Sequence, residues 1–389
     1  MKKRILCLSN GHGEDGIAVA ILRALAEYPV ELMAMPIVGT GGAYEALDIP
    51  IIGPTRTMPS GGFIYMDPLQ LWRDIQEGLG RLTWAQYQAI KAVAPEVDLI
   101  LAVGDIVVQI FAQLSKKPHV FVGTAKSDYY IGGKPSVYAP WERWLMLHPR
   151  CTAVYPRDRV TTLNLQKLGI PRAYDLGNPM MDGLTPQGFD WARVGLTPAH
   201  RLVALLPGSR PPEAYRNLIL LLTAVEHLGE QPFPLVAMAA LTNGLKCPEL
   251  VASLEQAGWS YSEHAPDLVH LCRGQHQVYL VWGAFADCIT KASLVLAMTG
   301  TATEQAVGLG KPVVTLPGAG PQFNHRFAEA QTRLLGPSVT LLQHPQDIAP
   351  TACNLLTDHT YLAQLQANGR ERMGTIGAAG RIAQHVMAQ

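Results

Sequence analysis

Short apolar, β-branched runs alternate with stretches of helical periodicity along the whole chain, and this alternation limits the fold more than any other feature. It is typical of βαβ units, which build parallel sheets covered by helices. In the first half we predict strands at residues 4–8, 30–35, 50–52, 98–103, 119–122, 153–155 and 174–176. In the second half we predict strands at residues 202–206, 235–238, 278–281, 294–297 and 313–316. The sequence therefore predicts an α/β fold.

The strand and helix pattern restarts in the middle of the chain. A stretch rich in Pro and Gly, GNPMMDGLTPQG, ends at Gly188, and a new run, RLVALLPGSR, begins at Arg201. A chain of 389 residues also exceeds the usual size of one hydrophobic core. We therefore predict two Rossmann-like domains facing each other across a cleft. They cover residues 1–178 and 201–372, with a linker over 179–200 and a C-terminal helix over 373–389 that can return to the first domain.

Charge and cysteine usage exclude several classes of protein. Lys plus Arg and Asp plus Glu both number 31, so there is no large basic field for nucleic acid. The first residues contain no apolar run as long as a signal-peptide core, and no membrane-spanning run follows, so we expect a cytoplasmic protein.

The six cysteines form no C-x-x-C pair. The cluster of His264, His270, Cys272 and His276 fits no standard zinc spacing, so we expect no metal site.

In doubly wound sheets, ligands bind at the carboxyl ends of the first and fourth strands, where the strand order reverses. In the first half these ends carry residues 10–16 and 104–105. In the second half they carry residues 207–210 and 299–301. The sequence thus predicts two pairs of loops, one in each domain, that line the cleft.

The first loop contains GHGEDG, residues 11–16, which matches the G-x-G-x-x-G pattern of dinucleotide-binding turns. That pattern also needs an acidic residue at the carboxyl end of the second strand, and Glu31 opens its strand instead. Glu14 and Asp15 place two carboxylates where a pyrophosphate would have to bind. The context therefore argues against a dehydrogenase. The glycines indicate a sharp turn, after which Asp15 can cap the helix.

Gly11 and Gly13 flank His12, which we expect the turn to present on the acceptor side of the cleft. Asp105 follows the neighbouring strand, so it can orient His12 and stabilise the imidazolium formed when the histidine deprotonates a hydroxyl. Two other interpretations stay open. His12 can be a loop histidine with local hydrogen bonds, and Asp105 can be the N-cap of the helix IVVQIFAQL.

The second loop pair carries groups suited to phosphate oxygens. The PGSR loop offers backbone, hydroxyl and guanidinium donors, and the TGT turn opens a helix, whose N-terminus attracts anions. After the next strand, amide side chains can reach a sugar or a diphosphate. The residues assigned to the nucleotide sugar on these grounds are Gly208, Ser209, Arg210, Thr299, Gly300, Thr301, Gln322 and Asn324. The alternative is an ordinary pair of strand-to-helix turns.

No D-x-D pair, which a metal-dependent sugar transferase usually needs to clamp diphosphate, occurs in the sequence. The leaving diphosphate would then be neutralised by Arg210 and by helix ends. We therefore expect metal-independent chemistry and no cofactor.

Three stretches resemble the bacterial lipid-A-disaccharide synthase family of GT-B glycosyltransferases: LVALLPGSRPPE, ADCITKASLVLAMTGTATEQAVGLGKPVV and YDLGNPMMD. GNPMMD and PQFNHRFAEAQ also resemble the peptidoglycan N-acetylglucosaminyltransferase. The resemblance implies a GT-B fold and an inverting transfer from a UDP-sugar, bound to the C-terminal domain, to a lipid-linked acceptor on the N-terminal domain. Arg210 matches the arginine of the family's PGSR, and Asp105 resembles the aspartate that ends the family's fourth strand.

Two positions depart from this family. In ungapped register Gln305 takes the place of the ribose-binding glutamate, and Glu304 lies one residue early. Gln305 can still bond a ribose hydroxyl, but a neutral partner weakens the assignment to UDP. The synthase's first loop has no histidine like His12, so this loop is more similar to other GT-B enzymes, whose first-loop histidine acts as a base.

Two aromatic stretches indicate contact with lipid or with an acceptor. Residues 58–84 carry apolar and aromatic side chains that suit a peripheral membrane contact, and the alternative is a core helix pair. In the second stretch, DYYIGGKPSVYAPWERWLM, Lys126 just before it and Lys134 and Arg143 within it can meet an anionic group of the acceptor.

The sequence as a whole predicts a metal-independent inverting glycosyltransferase that uses a nucleotide sugar and a lipid-linked acceptor. It would lie in the cytoplasm, at the inner face of a membrane. Two alternatives stay open. One is an enzyme similar to the UDP-sugar 2-epimerases, and the other is a non-catalytic protein that binds a nucleotide sugar or a lipid carrier on the same scaffold.

Overall fold

The computed structural model describes residues 2–11, 13–56, 78–131 and 135–389. The chain divides into two compact units. Unit 1 comprises Met1–Gly183 and Gly374–Gln389, and unit 2 comprises Leu184–Met373. Within the described residues, no helix has both the length and the apolar character that crossing a membrane requires.

Unit 1 is built on a five-stranded parallel sheet in the order β2-β1-β3-β4-β5. Its strands are β1 Lys3–Ser9, β2 Val30–Pro36, β3 Leu99–Gly104, β4 His119–Gly123 and β5 Cys151–Tyr155. Its first helices are α1 Gly13–Leu25, α2 Gly42–Glu45, α3 Leu79–Val93, α4 Ile106–Leu114, α5 Pro140–Leu147 and α6 Arg159–Lys167. The order reverses beside β1, so β1 and β3 form the switch point that the sequence predicts.

Two predicted strands of unit 1 are wrong. Residues 50–52 and 174–176 form no strand, and each region makes a single parallel bridge, Ile51 with Ala34 and Ala173 with Val154. Glycines with positive φ follow both segments, Gly53 at 78° and Gly177 at 86°. These glycines turn the chain away from the sheet edge before a ladder can extend.

Unit 2 is built on an eight-stranded sheet in the order β13-β12-β11-β6-β7-β10-β9-β8. Its strands are β6 Arg201–Leu206, β7 Leu235–Leu241, β8 Ser260–Ala265, β9 Leu268–Arg273, β10 His276–Trp282, β11 Leu294–Ala297, β12 Val313–Thr315 and β13 Val339–Leu341. Its helices are α7 Glu213–Glu226, α8 Pro248–Gln256, α9 Phe285–Lys291, α10 Thr301–Gly308, α11 His325–Leu335, α12 Ile348–Thr357 and α13 His359–Met373.

The sequence reading missed three strands of unit 2. β8 and β9 are antiparallel to their neighbours. β8 is the edge strand and most of its residues are exposed, whereas β9 lies between β8 and β10. An exposed edge strand lacks the apolar run of a buried parallel strand, so periodicity does not reveal it. β13 has only three residues, too few to give a pattern.

The C-terminal helix, α14 Ala378–Met387, belongs to unit 1 and packs against α1. Ile382, Ala383 and Val386 are fully buried there. Asp182 accepts hydrogen bonds from the backbone N–H groups of residues 377–379, which satisfies the first turn of the helix.

The sheet of unit 1 has apolar layers on both sides because alternate strand residues point to opposite faces. Ile5 and Cys7 pack with α1 and α14 on one side. Leu6 and Leu8 pack with α3 and α4 on the other. Ile17, Ile21, Leu22 and Leu25, the apolar face predicted for α1, are all buried, which confirms that prediction.

Candidate functional site

The first predicted loop pair comes together in unit 1. β1 pairs in parallel with β3 from Ile5 with Leu99 to Ser9 with Val103, so the loops after them are neighbours. Gly11 has φ of 116°, and a Cβ atom there would lie 2.3 Å from the Val38 carbonyl oxygen. A Cβ atom at Gly13 or Gly16 would meet nothing within 4 Å. Only the first glycine of GHGEDG is therefore required by the packing.

Asn10 and Asp105 connect the two loops. Asn10 Nδ2 donates to Asp105 Oδ1 at 2.7 Å, and the Asp105 backbone N–H donates to Asn10 Oδ1 at 2.9 Å. Val107 N–H also donates to Asp105 Oδ1, at 2.8 Å, so Asp105 is the N-cap of α4. A side chain at Gly104 would collide with Asn10. The capping interpretation of Asp105 is confirmed, and burial raises its pKa.

His12 lies outside the described residues, so its pairing with Asp105 stays a prediction. The predicted cap by Asp15 is wrong. α1 begins at Gly13, two residues before Asp15, and a cap must precede the helix. The Asp15 carboxylate is buried instead and accepts a hydrogen bond from Ser9 Oγ at 2.5 Å, while Tyr44 Oη donates to the same serine oxygen.

Glu14 is a candidate acid–base residue that the sequence reading missed. Its side chain is largely buried, and Thr124 Oγ1, after β4, donates to its Oε1 at 3.4 Å. Burial, with the charges of Asp105 and Asp15, raises the pKa of Glu14 from 4.5 to about 7. A carboxyl group that titrates near neutral pH can exchange a proton with a substrate. The sequence pattern alone indicates only that the Glu14 carboxylate disfavours binding of a pyrophosphate at this turn.

Lys126 lies near the same edge but is paired within unit 1. Its Nζ donates to both carboxylate oxygens of Glu142, at 2.6 and 2.7 Å, and the Glu142 side chain is only 1% exposed. Glu142 also accepts from Ala139 N–H at the start of α5. The charge of Lys126 is thus balanced by its own chain, and its use for an anionic acceptor stays a prediction. Lys134 lies outside the described residues.

The second predicted loop pair comes together in unit 2. β6 pairs in parallel with β11, which brings the PGSR loop beside the turn at Thr299. Asn217 of α7 fixes this arrangement, since its Nδ2 donates to the carbonyl oxygens of Pro207 at 3.0 Å and Met298 at 3.4 Å. Gly208 has φ of 103°, a conformation that favours glycine. The predicted neighbourhood of these two loops is confirmed.

The TGT turn is held by side chains from two helices. Thr303 Oγ1 donates to the Thr299 carbonyl oxygen at 2.6 Å, and Gln331 Nε2 donates to the Gly300 carbonyl oxygen at 3.2 Å. α10 begins at Thr301, and the first N–H groups of a helix have no acceptor within the helix. The turn therefore presents backbone donors and the positive end of a helix dipole beside Ser209 and Arg210.

Glu304 and Gln305 follow in α10, and they differ in accessibility. Glu304 is 8% exposed and belongs to the interior of unit 2. Gln305 is only partly buried. Gln305 is therefore the more accessible of the two side chains.

The loop after β12 is shaped by Glu213, which the sequence reading also missed. This carboxylate is buried and accepts from the backbone N–H groups of Phe323 at 2.6 Å and Gln322 at 3.2 Å. Asn324 Oδ1 accepts from Phe327 N–H at 3.0 Å and caps α11. The Gln322 side chain is exposed. Contact of Gln322 and Asn324 with a sugar or diphosphate stays a prediction.

The histidine cluster of unit 2 lies on the antiparallel strands. The His270 ring stacks on Tyr279, and Cys272 Sγ lies 3.5 Å from His270 Nε2. In the described part of the chain, no group of three or more His, Cys, Asp or Glu side chains could hold a metal ion.

No protein-family model matches the chain. Among curated proteins, it is 29% identical over 157 residues to a lipid-A-disaccharide synthase from Solibacter usitatus. The match covers 39% of this chain and 35% of that protein, so it spans about a third of the relative's length.

Solved structures match the chain over nearly its whole length. One is the UDP-GlcNAc 2-epimerase from Neisseria meningitidis bound to UDP-GlcNAc, with 14% identity, a TM-score of 0.61 and 99% of both chains covered. Another is MurG from Acinetobacter baumannii, with 14% identity, a TM-score of 0.60 and both chains covered completely. At this identity the similarity is one of fold. The chain thus has the two-domain α/β architecture of the GT-B fold, with local sequence similarity to a lipid-A-disaccharide synthase.

Proposed function

We propose that the chain is a metal-independent inverting glycosyltransferase that moves a sugar from a nucleotide sugar to a hydroxyl group of a lipid-linked acceptor. The observation that carries the proposal is the loop pair of unit 2, where Arg210 and the N-terminus of α10 follow neighbouring strands. The local similarity to a lipid-A-disaccharide synthase supports glycosyl transfer, and the fold shared with a protein named for UDP-GlcNAc supports a nucleotide sugar as the ligand.

In unit 2, the donor's diphosphate binds to Ser209, Arg210 and the first N–H groups of α10. The guanidinium fork and these amides stabilise the negative charge that develops as the diphosphate leaves. Gln305 bonds a ribose hydroxyl from the same helix. Gln322 and Asn324 lie after β12, on the side from which a sugar or diphosphate can be contacted.

In unit 1, a base takes the proton of the acceptor hydroxyl. The hydroxyl oxygen then forms a bond to the anomeric carbon, whose bond to the diphosphate oxygen breaks, and the nucleoside diphosphate leaves. Glu14 suits the role of base because its pKa of about 7 leaves it partly ionised and still basic at neutral pH. His12, two residues earlier in the sequence, is the other candidate, and Asn10, which precedes both, donates a hydrogen bond to Asp105.

The lipid-linked acceptor and a peripheral position at the inner face of a membrane rest on the local similarity and on the apolar segment at residues 58–84. Residues 57–77 lie outside the described residues. In the remainder, Leu82 is buried in the core of unit 1 and Trp84 is 62% exposed.

The first experiment tests nucleotide binding. A ligand that binds only the folded protein raises the unfolding midpoint, so UDP, UDP-sugars, other nucleotides and NAD can be compared by thermal shift. We expect stabilisation by UDP and UDP-sugars, loss of that stabilisation in Arg210→Ala, and none by NAD. Arg333→Ala is the matched control, because Arg333 forms an exposed ion pair with Glu329 on α11. Equal stabilisation of Arg210→Ala and wild type would remove the assigned donor site.

The second experiment distinguishes transfer from the two alternatives. Release of UDP that depends on a lipid acceptor supports the transferase. Conversion of the donor to its epimer without an acceptor supports an epimerase. Tight binding of a UDP-sugar with neither product supports a non-catalytic binding protein.

A further inference from the structure

Asp15 interrupts the apolar pattern of α1. This helix buries one side in the core of unit 1, and that side includes Ala18, Leu22 and Leu25. Positions three or four apart share one side of a helix, so Asp15, three positions before Ala18, is the first member of the same row. The Asp15 side chain is 6% exposed. A carboxylate therefore stands in the first turn, at a place where the helix otherwise buries apolar side chains.

Two hydroxyl groups compensate for the burial of this carboxylate. Ser9 Oγ donates to Asp15 Oδ1 at 2.5 Å, and Tyr44 Oη donates to Ser9 Oγ, also at 2.5 Å. Tyr44 Oη lies 3.4 Å from Asp15 Oδ1 as well. Both Ser9 and Tyr44 are fully buried. We call Ser9, Asp15 and Tyr44 the buried network. An apolar residue at position 15 would fill the row without the cost of burying a carboxylate, so packing alone does not account for Asp15.

The buried network holds the start of α1 against two other elements. Ser9 is the last residue of β1, and Tyr44 belongs to α2. The Ser9 carbonyl oxygen also accepts from the backbone N–H of Ile37, just after β2. Successive residues of a helix point about 100° apart. Fixing Asp15 toward β1 therefore also fixes the direction in which Glu14 leaves the helix.

Glu14 meets other groups from several directions. Asp105, the N-cap of α4, acts on it through its charge, and Thr124, after β4, donates to its Oε1 at 3.4 Å. The positive charge of Lys126 acts on Asp105 in turn. His12 precedes α1 and lies outside the described residues.

Asp15 is the neighbour of Glu14 that the buried network holds. Burial has the largest effect on the pKa of Glu14, and the charges of Asp105 and Asp15 raise it further because they oppose ionisation. Among the described residues, Cys7 of β1 and Tyr44 of α2 are the titratable groups on the other side of Asp15. Burial raises the pKa of both, so neither carries a charge near neutral pH. The charge that these three elements together place next to Glu14 is therefore that of Asp15.

We propose that Ser9, Asp15 and Tyr44 are positioning residues for Glu14: they fix the first turn of α1 and hold a buried negative charge beside the Glu14 carboxyl group. The inference rests on the proposed function, in which Glu14 takes the proton of the acceptor hydroxyl. A negative charge beside a base makes the base stronger, and a fixed helical turn limits the directions it can take. All three residues are buried, so they act on the acceptor only through Glu14.

The test compares Asp15→Asn and Asp15→Ala with wild type. Both variants remove the charge, and Asp15→Ala leaves the bond between Tyr44 and Ser9 in place. In each, the rise of turnover with pH should move about one pH unit lower. Tyr44→Phe removes a hydroxyl and no charge, so its rise should stay at the wild-type pH while turnover falls roughly ten-fold. Asp175→Asn, which removes an exposed carboxylate of unit 1, is the control and should match wild type.

A second measurement follows Glu14 without any substrate. The difference in unfolding midpoint between a protein and its Glu14→Gln variant changes with pH where Glu14 titrates, near pH 7 in wild type. When Asp15→Asn or Asp15→Ala is present in both proteins, this change should move lower by the same amount as turnover does. The two variants differ in size and polarity at position 15, so a shift common to both reports the lost charge.

The proposal is overturned if the titration of Glu14 stays at the wild-type pH in both Asp15 variants. Wild-type turnover in Tyr44→Phe would overturn the assignment of Tyr44. A stability titration that moves as expected, in a protein whose turnover survives Glu14→Gln, would support the buried network and contradict the role of Glu14 as base. Failure of the proposed function is thereby distinguished from failure of this inference.

Discussion

Units 1 and 2 share a strand arrangement, with a switch point beside the first strand, but they place opposite charges there. In unit 1 the edge carries Glu14 and Asp105, and Lys126 nearby is paired with Glu142. In unit 2 the edge carries Arg210 and the N-terminus of α10. The fold determines where ligands can bind, and the loops determine what chemistry occurs there. The edge of unit 1 suits proton transfer, and that of unit 2 suits phosphate.

The two edges are also held in different ways. In unit 1 the loops approach each other because Gly11 and Gly104 have positive φ and because Asn10 bonds with Asp105. In unit 2 buried polar side chains from neighbouring helices, Asn217 and Gln331, bind the backbone of the loops. In unit 2, therefore, the polar support of the loop backbone comes from side chains outside the loops.

The largest effect is expected for Glu14→Gln, which removes the proposed base and keeps the size of the side chain. General acid–base catalysis contributes about 10²- to 10⁴-fold, so turnover should fall by that factor while donor affinity is unchanged. In wild type, turnover should rise as the pH passes through about 7, where Glu14 ionises, and this rise should disappear in the variant. Turnover is measured as the release of UDP that depends on the acceptor. Should His12→Ala lose turnover and Glu14→Gln retain it, the base is His12.

The next effect concerns stability, again at Glu14. Its pKa is about 7 in the folded protein and 4.5 in an ordinary glutamate, so the folded state binds more protons between these values. The stability that the protonated group provides is present below about pH 4.5 and is lost as the pH rises through about 7. Glu14→Gln should therefore stabilise the protein above pH 7 by up to roughly 3 kcal/mol, a limit that partial solvent contact reduces. Unfolding midpoints of both proteins from pH 4.5 to 8.5 check this. A constant difference between them would contradict the pKa.

On the side of unit 2, Arg210→Ala should weaken UDP binding roughly ten- to a hundred-fold, since a hydrogen bond to a charged group contributes about 1.5–3 kcal/mol. Unlike Glu14→Gln, it should reduce donor affinity at every pH, because a guanidinium does not titrate in the accessible range. Calorimetric titration with UDP measures the affinity. A variant that binds UDP normally but turns over slowly would move Arg210 from binding to catalysis.

Much of the fold was predictable from the sequence. β1, β3, β6 and β11 are continuous apolar runs, as buried parallel strands usually are, and their order followed from the α/β pattern. The predicted strand order correctly identified which loops lie next to each other in each unit. β8 was not predictable, because an exposed edge strand has no apolar run.

The roles of individual side chains were harder to predict than the loops that carry them. The pKa of Glu14 depends on Asp105, and its hydrogen bond comes from Thr124, 110 positions away. Glu213 likewise accepts a hydrogen bond from the backbone N–H of Phe323, 110 positions away. A local pattern contains no information on such contacts. The Lys126–Glu142 pair is different: Glu142 stands at the third position of a helix that begins with Pro, a recognisable capping position.

The smallest effect separates capping from binding at Asn324. Asn324→Ala removes the N-cap of α11 and should cost about 1 kcal/mol of stability. Asn324→Asp retains a capping oxygen, so stability should be unchanged, but it adds a negative charge on the side of unit 2 where the diphosphate is proposed to bind. If Asn324 lies near the donor, the aspartate variant should bind UDP more weakly than wild type at equal stability. If both variants bind UDP like wild type, Asn324 is a cap alone.

The same question applies to Asp105 in unit 1. If Asp105→Asn leaves the pH dependence of turnover unchanged, Asp105 is also a cap alone. Because Asp105 raises the pKa of Glu14, we expect that variant to shift the dependence to lower pH.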